Sequence, residues 1–196
     1  MIKRGIQVNI PGFRNLDIRA ICSDYTGTLS LEGELITGVK SRLRKLAKLV
    51  DIYVLTSDTR GTAKIELQSI LNPIIIQGRK HDEEKRNYLR RHLNPKHVAV
   101  LGNGCNDKLW LKEVSKAKGL AIAVDVGEGC AIEALQNADI FVCGIANALD
   151  LLLDSDRAHV AVLRRISLLR KIAGLAQMFC RVLGTKRKSS ARPERL

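Results

Sequence analysis

The sequence lacks several features, and each absence excludes a class of protein. No apolar run approaches the roughly 18 to 20 residues that a bilayer span needs, and Met1-Ile2-Lys3-Arg4 is not followed by the apolar core of a signal peptide. The expectation is a cytoplasmic protein with no transmembrane segment. The five cysteines, Cys22, Cys105, Cys130, Cys143 and Cys180, are odd in number and include no Cys-x-x-Cys pair, so they are read as reduced thiols rather than disulfides or zinc ligands. The four histidines, His81, His92, His97 and His159, show no metal-binding spacing. A Gly-x-x-x-x-Gly-Lys-Ser/Thr phosphate loop is missing. The lone Gly127-Glu128-Gly129 is read as a turn, not a nucleotide loop. There is no internal repeat.

What is present suits one globular core: 196 residues, 45% of them hydrophobic. The formal charge of +13 is unevenly spread. Residues 157–196 hold eleven Lys or Arg against one acid, Glu194, so they carry +10 and leave only about +3 for the other 156 residues. The basicity belongs to the tail. Before it, apolar runs alternate with amphipathic ones, the signature of a sheet built from βαβ units. Strands are expected at 19–23, 52–56, 74–77, 97–101, 120–124 and 140–143. Helices are expected at 39–49, 63–70, 83–92, 107–118, 128–136 and 146–153. Runs such as Ile74-Ile75-Ile76 and Val98-Ala99-Val100-Leu101 are apolar throughout, as strands buried on both faces must be. The fold class is therefore α/β, a doubly wound Rossmann-like parallel sheet in a domain over 1–156, with a basic amphipathic helix and basic end over 157–196.

Two segments carry chemistry. Asp24-Tyr25-Thr26-Gly27-Thr28 follows one apolar run, and Gly102-Asn103-Gly104-Cys105-Asn106-Asp107 follows another. In an open parallel sheet the carboxyl ends of adjacent strands face one crevice, so Asp24 and Asp107 can meet there. A carboxylate in a Gly-rich turn can attack a phosphoryl group and form an aspartyl phosphate, which makes Asp24 the candidate nucleophile. Two negative groups approaching each other need a cation, and Mg²⁺ typically takes one or two carboxylates plus phosphate oxygen and water. Asp24 and Asp107 are the candidate carboxylates. Thr56 and Ser57 end the second strand, where a hydroxyl and free amides can hold phosphate oxygens. Lys85 can offset the developing charge, with Lys80 a weaker candidate for that task. Asp58 and Arg60 are read as capping and charging the next helix.

In order and spacing these residues resemble the haloacid dehalogenase (HAD) superfamily, whose motifs are Asp-x-x-Gly-Thr after a strand, a Ser or Thr ending a second strand, a Lys, and an acidic loop. Within it the chain looks most like the phosphorylation domain of P-type ATPases and, more narrowly, small soluble P-type ATPase-like proteins. Thr37-Gly38-Val39-Lys40, the 102–107 loop and Ala148-Leu149-Asp150-Leu151-Leu152-Leu153 carry that likeness, which covers about residues 6–160. It implies a Mg²⁺-dependent phosphatase with Asp24 and the Thr26 carbonyl on the metal, aided by Asn103 and Asp107, and with Thr56, Ser57, Lys85 and Asn106 on the phosphate. A pump is excluded. Only 31 residues separate Asp24 from Thr56, room for a hairpin around Glu32-Gly33-Glu34 and one helix, so the site is expected to be capless and open.

Two departures bear on rate. Where phosphatases of the superfamily carry a second Asp as general acid and base, this chain has Thr26, a loss worth roughly 10² to 10⁴ in rate, so slow turnover is expected. Asn103 stands where the loop's first Asp is usual. The alternative is a catalytically weak or inactive HAD-like regulatory or binding protein that acts through its basic C-terminal helix. In that helix Val160, Leu163, Ile166, Leu169, Ile172 and Phe179 recur at helical spacing, with Arg164, Arg165, Arg170 and Lys171 mostly opposite. Residues 160–183 could pack on the domain, join a homo-oligomer or dock on an anionic membrane surface. Nucleic acid fits worst, because only Phe179 interleaves the charges. The substrate is a phosphorylated compound whose identity the sequence does not specify.

Overall fold

The computed structural model describes residues 3–10, 13–58, 61–71, 73–76 and 79–154. The expected tail helix, and Arg60, lie outside them. In chain order the elements are strands β1 (Ile6–Ile10), β2 (Arg14–Ile18), β3 (Ala20–Ser23), β4 (Ser30–Leu31) and β5 (Glu34–Leu35), followed by helix α1 (Val39–Leu46) and β6 (Asp51–Thr56). Then come α2 (Ala63–Leu67), β7 (Ile74–Ile75), α3 (His81–His92), β8 (Val98–Gly102), α4 (Lys108–Lys116), β9 (Leu120–Asp125), α5 (Ile132–Asn137), β10 (Ile140–Cys143) and α6 (Ile145–Leu153).

Six strands form one parallel sheet in the order β10-β9-β8-β3-β6-β7. The chain winds outward from β3 to β7, returns to the other side of β3, and winds outward again to β10. The point of reversal lies between β3 and β8, where an open α/β sheet forms its crevice. Side chains alternate across the sheet. Ile21, Ala99, Leu101 and Ile122 face a layer made of α1, α2, α6 and the β1–β2 pair. Cys22, Val100, Ala121 and Ala123 face α3, α4 and α5. The period of α1 shows how the helices are recruited: Val39, Leu43 and Leu46 are fully buried on one stripe, while Arg44 and Lys45 are exposed.

The antiparallel β1–β2 hairpin was not among the expected elements. Its inward residues Ile6, Val8, Leu16 and Ile18 alternate with outward ones and are buried. Arg14 ties it to the sheet through Gly119 O at 2.6 Å and the Asp139 carboxylate at 3.0 Å. A second difference is the start of α5 at Ile132, not at residue 128. Gly127 and Gly129 have φ of +107° and +93°, and both amides donate to Asp125 Oδ1, so this stretch is the turn that the glycines suggested. Between Asp24 and β6 lie only the β4–β5 hairpin and α1, with Glu32 and Gly33 at positive φ in a two-residue turn. No helix among the described residues is long and apolar enough to cross a membrane.

Candidate active site

Ser23 pairs with Val54 on one side and with Leu101 on the other, and the Asp24 amide donates to Leu101 O at 3.1 Å. Asp24 therefore leaves the sheet at the reversal point, beside the ends of β6 and β8. The turn after it is closed by Tyr25, whose carbonyl accepts the amides of Thr28, Leu29 and Ser30 and the Ser30 hydroxyl. The buried Tyr25 ring reaches on to the hairpin, where its hydroxyl donates to Gly33 O at 3.0 Å. Thr62, at the start of α2, donates to the same carbonyl at 2.8 Å.

The second loop is folded around Asp107. Asp107 Oδ2 accepts the amides of Asn103 and Gly104, each at 3.0 Å, and a side chain on Gly102 would collide with the same carboxylate. The two loops touch. Gly27, at φ +71°, has no room for a Cβ against the Asn103 side chain, and the Thr28 hydroxyl donates to Asn103 Oδ1 at 3.3 Å. Ala131 supports Asn103 from behind by donating to its carbonyl at 2.8 Å.

Lys85 joins the two carboxylates. It projects from α3 and is 1% exposed, with its Nζ 3.0 Å from Asp24 Oδ1 and 2.8 Å from Asp107 Oδ1. Trp110, one turn along α4 from Asp107 and fully buried, holds its ring centroid 5.0 Å from the same ammonium. Two of the three ammonium protons are thus directed to carboxylates, and the third can be given to a phosphoryl oxygen. The cluster carries two carboxylates and one ammonium, a net −1 in a buried place. Burial pushes the Asp24 carboxyl up to about 6; the Lys85 charge lowers it, and Asp107 raises it further. For Lys85, burial opposes the charge, but Asp107 and Asp24 outweigh it and hold the ammonium above its ordinary value.

The other sequence candidates take distinct places. Thr56 is buried at the end of β6; its hydroxyl accepts the Asp58 amide at 3.0 Å and keeps its own proton to donate. Ser57 and Asn106 are half-buried on the flanking loops and make no hydrogen bond to the Asp24–Lys85–Asp107 cluster, and Thr26 is exposed in the turn. Lys80 is exposed and pairs with Glu83 at 3.4 Å. Asp58 accepts the Ala63 amide at 3.0 Å, in keeping with its reading as a helix-starting residue. Trp110 and Thr28 were not among the sequence candidates. Only the position of Trp110 three residues after Asp107 signals its place.

Among the described residues no group of three or more His, Cys, Asp or Glu is arranged to hold a metal. The oxygen donors that the sequence assigns to a metal besides Asp107 are Asp24, the Thr26 carbonyl and the Asn103 amide. They are hard donors with a single carboxylate among them, which fits a Mg²⁺ ion that keeps waters and takes substrate phosphate oxygen. The residual negative charge of the buried cluster favours such a cation. Both Asp107 oxygens already have protein partners, in Lys85 and the loop amides.

This frame is similar to that of solved haloacid dehalogenase-like hydrolases. No family model matches the sequence, and no curated protein matches it significantly. Solved structures do. The cobalt-bound deoxy-D-mannose-octulosonate 8-phosphate phosphatase of Haemophilus influenzae superposes with a TM-score of 0.56 at 13% identity, over 70% of this chain and 88% of that one. The 3-deoxy-D-manno-octulosonate 8-phosphate phosphatase of Moraxella catarrhalis, solved with magnesium, phosphate and KDO, gives 0.51 at 15% identity, over 76% and 93%. A haloacid dehalogenase-like hydrolase of Streptococcus pneumoniae gives 0.51 at 12% identity, over 70% and 99%. At such identities the likeness is one of fold. The chain has the HAD fold that its motifs resemble.

Proposed function

We propose that the protein is a Mg²⁺-dependent phosphatase that works through an aspartyl phosphate on Asp24. The observation that carries this reading is the ion pair of Asp24 with the buried Lys85, at the reversal point of the sheet. A carboxylate buried without such a cation would be neutral and a poor nucleophile. The structural neighbours, phosphatases solved with cobalt or magnesium, support the same reaction class.

In the first step an Asp24 oxygen attacks phosphorus and the bond to the leaving oxygen breaks. In the second, water attacks the acyl phosphate and restores Asp24. Lys85 donates its remaining N–H as a hydrogen bond to a phosphoryl oxygen, and the Thr56 hydroxyl donates a hydrogen bond to another, with Ser57 and Asn106 at the margin of the phosphate site. Mg²⁺, held by Asp24, the Thr26 carbonyl and Asn103, would neutralise charge between the carboxylate and the phosphate. Asp107 is assigned here to aiming Lys85 and shaping the 102–107 loop, with metal binding resting mainly on Asp24. Thr26 cannot hand a proton to the leaving oxygen. Turnover is therefore slow, and it favours phosphates whose leaving groups need no proton, such as acyl and aryl phosphates over alkyl phosphates.

Phosphate release from p-nitrophenyl phosphate and a set of acyl phosphates tests the reading, with Asp24→Asn and EDTA as controls. Activity abolished by both is expected. A clean wild-type protein with no release from any of them would leave the fold with a binding role only.

A further inference from the structure

One flank of the domain carries cations that the chemistry of the crevice does not use. The outward face of α1 and the turn after it present Lys40, Arg44, Lys45 and Lys48, and α1 has no acidic residue. No ion pair to an acid joins these four among the described residues. The inward-facing Arg42 is different, since it is taken by Asp150 at 2.7 Å. The Arg44 guanidinium donates to Ser69 Oγ at 3.2 Å, which sets α2 alongside. One turn before Ser69, Ile65 is 66% exposed beside the exposed Lys64. Two acids lie close by. Glu66 is half-buried, and Asp51 is paired with Lys3 at 2.8 Å.

We propose that this flank docks on an anionic phospholipid surface, with Ile65 as the apolar point of contact beside these cations. Phosphate headgroups match the uncompensated lysines and Arg44, and an aliphatic side chain gains by entering the headgroup layer. The rest of the chain continues the same chemistry. Leu49, at the end of the α1 turn, lines one groove with Leu152 and Leu153, so the chain leaves the described fold beside the basic face. Residues 157–196 then add eleven Lys or Arg against Glu194, with aliphatic residues at helical spacing. A nucleic acid is the poorer partner, because the flank offers it no aromatic ring for stacking. The flank runs along the side of the sheet, whereas Asp24 opens at the carboxyl ends of the strands. Docking therefore leaves the crevice accessible.

The test is co-sedimentation of the full chain with phosphatidylcholine vesicles containing or lacking phosphatidylserine. It reads binding alone, so its failure is distinct from failure of the phosphatase reading. Binding is expected only with phosphatidylserine and should weaken as salt rises. Neutralising a cation at such a surface weakens partitioning about fivefold, so Arg44→Gln/Lys45→Gln/Lys48→Gln should weaken it on the order of a hundredfold. All three residues are exposed, and an unchanged circular dichroism spectrum checks that the variant folds. Ile65→Ser is expected to weaken binding with its salt dependence preserved. Wild-type affinity in the triple variant would overturn the docking face, and wild-type affinity in Ile65→Ser would overturn the insertion. Equal binding to vesicles without phosphatidylserine, or tighter binding to duplex DNA or RNA than to vesicles, would overturn the choice of partner.

Discussion

Lys85 is the residue on which the site depends most. Among the described residues it is the one cation paired with two buried carboxylates, so replacing it by Met leaves Asp24 and Asp107 facing each other without compensation. Breaking a buried ion pair from one side costs about 3–5 kcal/mol. We expect Lys85→Met to lose stability of that order in urea titrations at neutral pH, and Lys85→Met/Asp24→Asn to recover part of it. Full stability in the single variant would mean that the cluster is wetter than its burial implies. Thr26 offers the opposite kind of test. It is exposed, so Thr26→Asp should fold normally and place a carboxylic acid two residues after Asp24, the proposed nucleophile. The expected gain is about 10²-fold, confined to alkyl phosphates, whose leaving groups need a proton. Equal gains on acyl and alkyl phosphates would show that proton transfer does not limit the reaction.

At the scale of elements, the N-terminal hairpin shows how a short β pair is held on a parallel sheet. Arg14, on β2, reaches the almost fully buried Asp139 just before β10, and Asp139 also accepts the Ser115 hydroxyl at 2.8 Å and the Ala121 amide at 2.9 Å. Arg14→Ala removes a charged partner and leaves the Ser115 hydroxyl and the Ala121 amide in place. A loss of about 2–3 kcal/mol is expected, with amide exchange accelerated first in β1 and β2. Exchange that accelerates evenly over the whole sheet would place the hairpin in the same cooperative unit as the core. The hairpin was legible in principle, since Ile6, Val8, Leu16 and Ile18 alternate, but five-residue strands give a weak period and the stronger β3 signal follows at once. The six sheet strands read clearly because burial on both faces makes them apolar throughout. Helix ends read less clearly: Gly127 and Gly129 delay α5 through an Asp125 bond that spacing alone does not encode. In the site, Asp24 and Asp107 were legible because each carboxylate follows a strand. Trp110 was not, since its contact with Lys85 depends on how α3 and α4 pack.

For the whole molecule, the charge of the crevice couples metal binding to pH. The Asp24 carboxyl titrates at about 6 in the folded protein and near its ordinary 3.8 when unfolded, so between those values the folded state holds a proton that the unfolded state has released. Metal-free stability contributed by this group therefore declines as pH rises through that window and is level above it; the total change is on the order of 3 kcal/mol. A cation reverses the preference, because Mg²⁺ needs the ionised carboxylate and must displace the proton wherever it is still bound. Stabilisation by Mg²⁺ should accordingly be small near pH 5, rise through about pH 6 and reach a plateau near neutrality. Thermal melts of the full chain with and without Mg²⁺, repeated across that range, measure this directly. Asp24→Asn has no proton to exchange at this position, so it should lose both the pH step and most of the Mg²⁺ shift. An Mg²⁺ shift that keeps its size and pH dependence in Asp24→Asn would place the cation elsewhere on the molecule. A wild-type shift independent of pH would mean that Asp24 is already ionised throughout, with Lys85 outweighing the effect of burial.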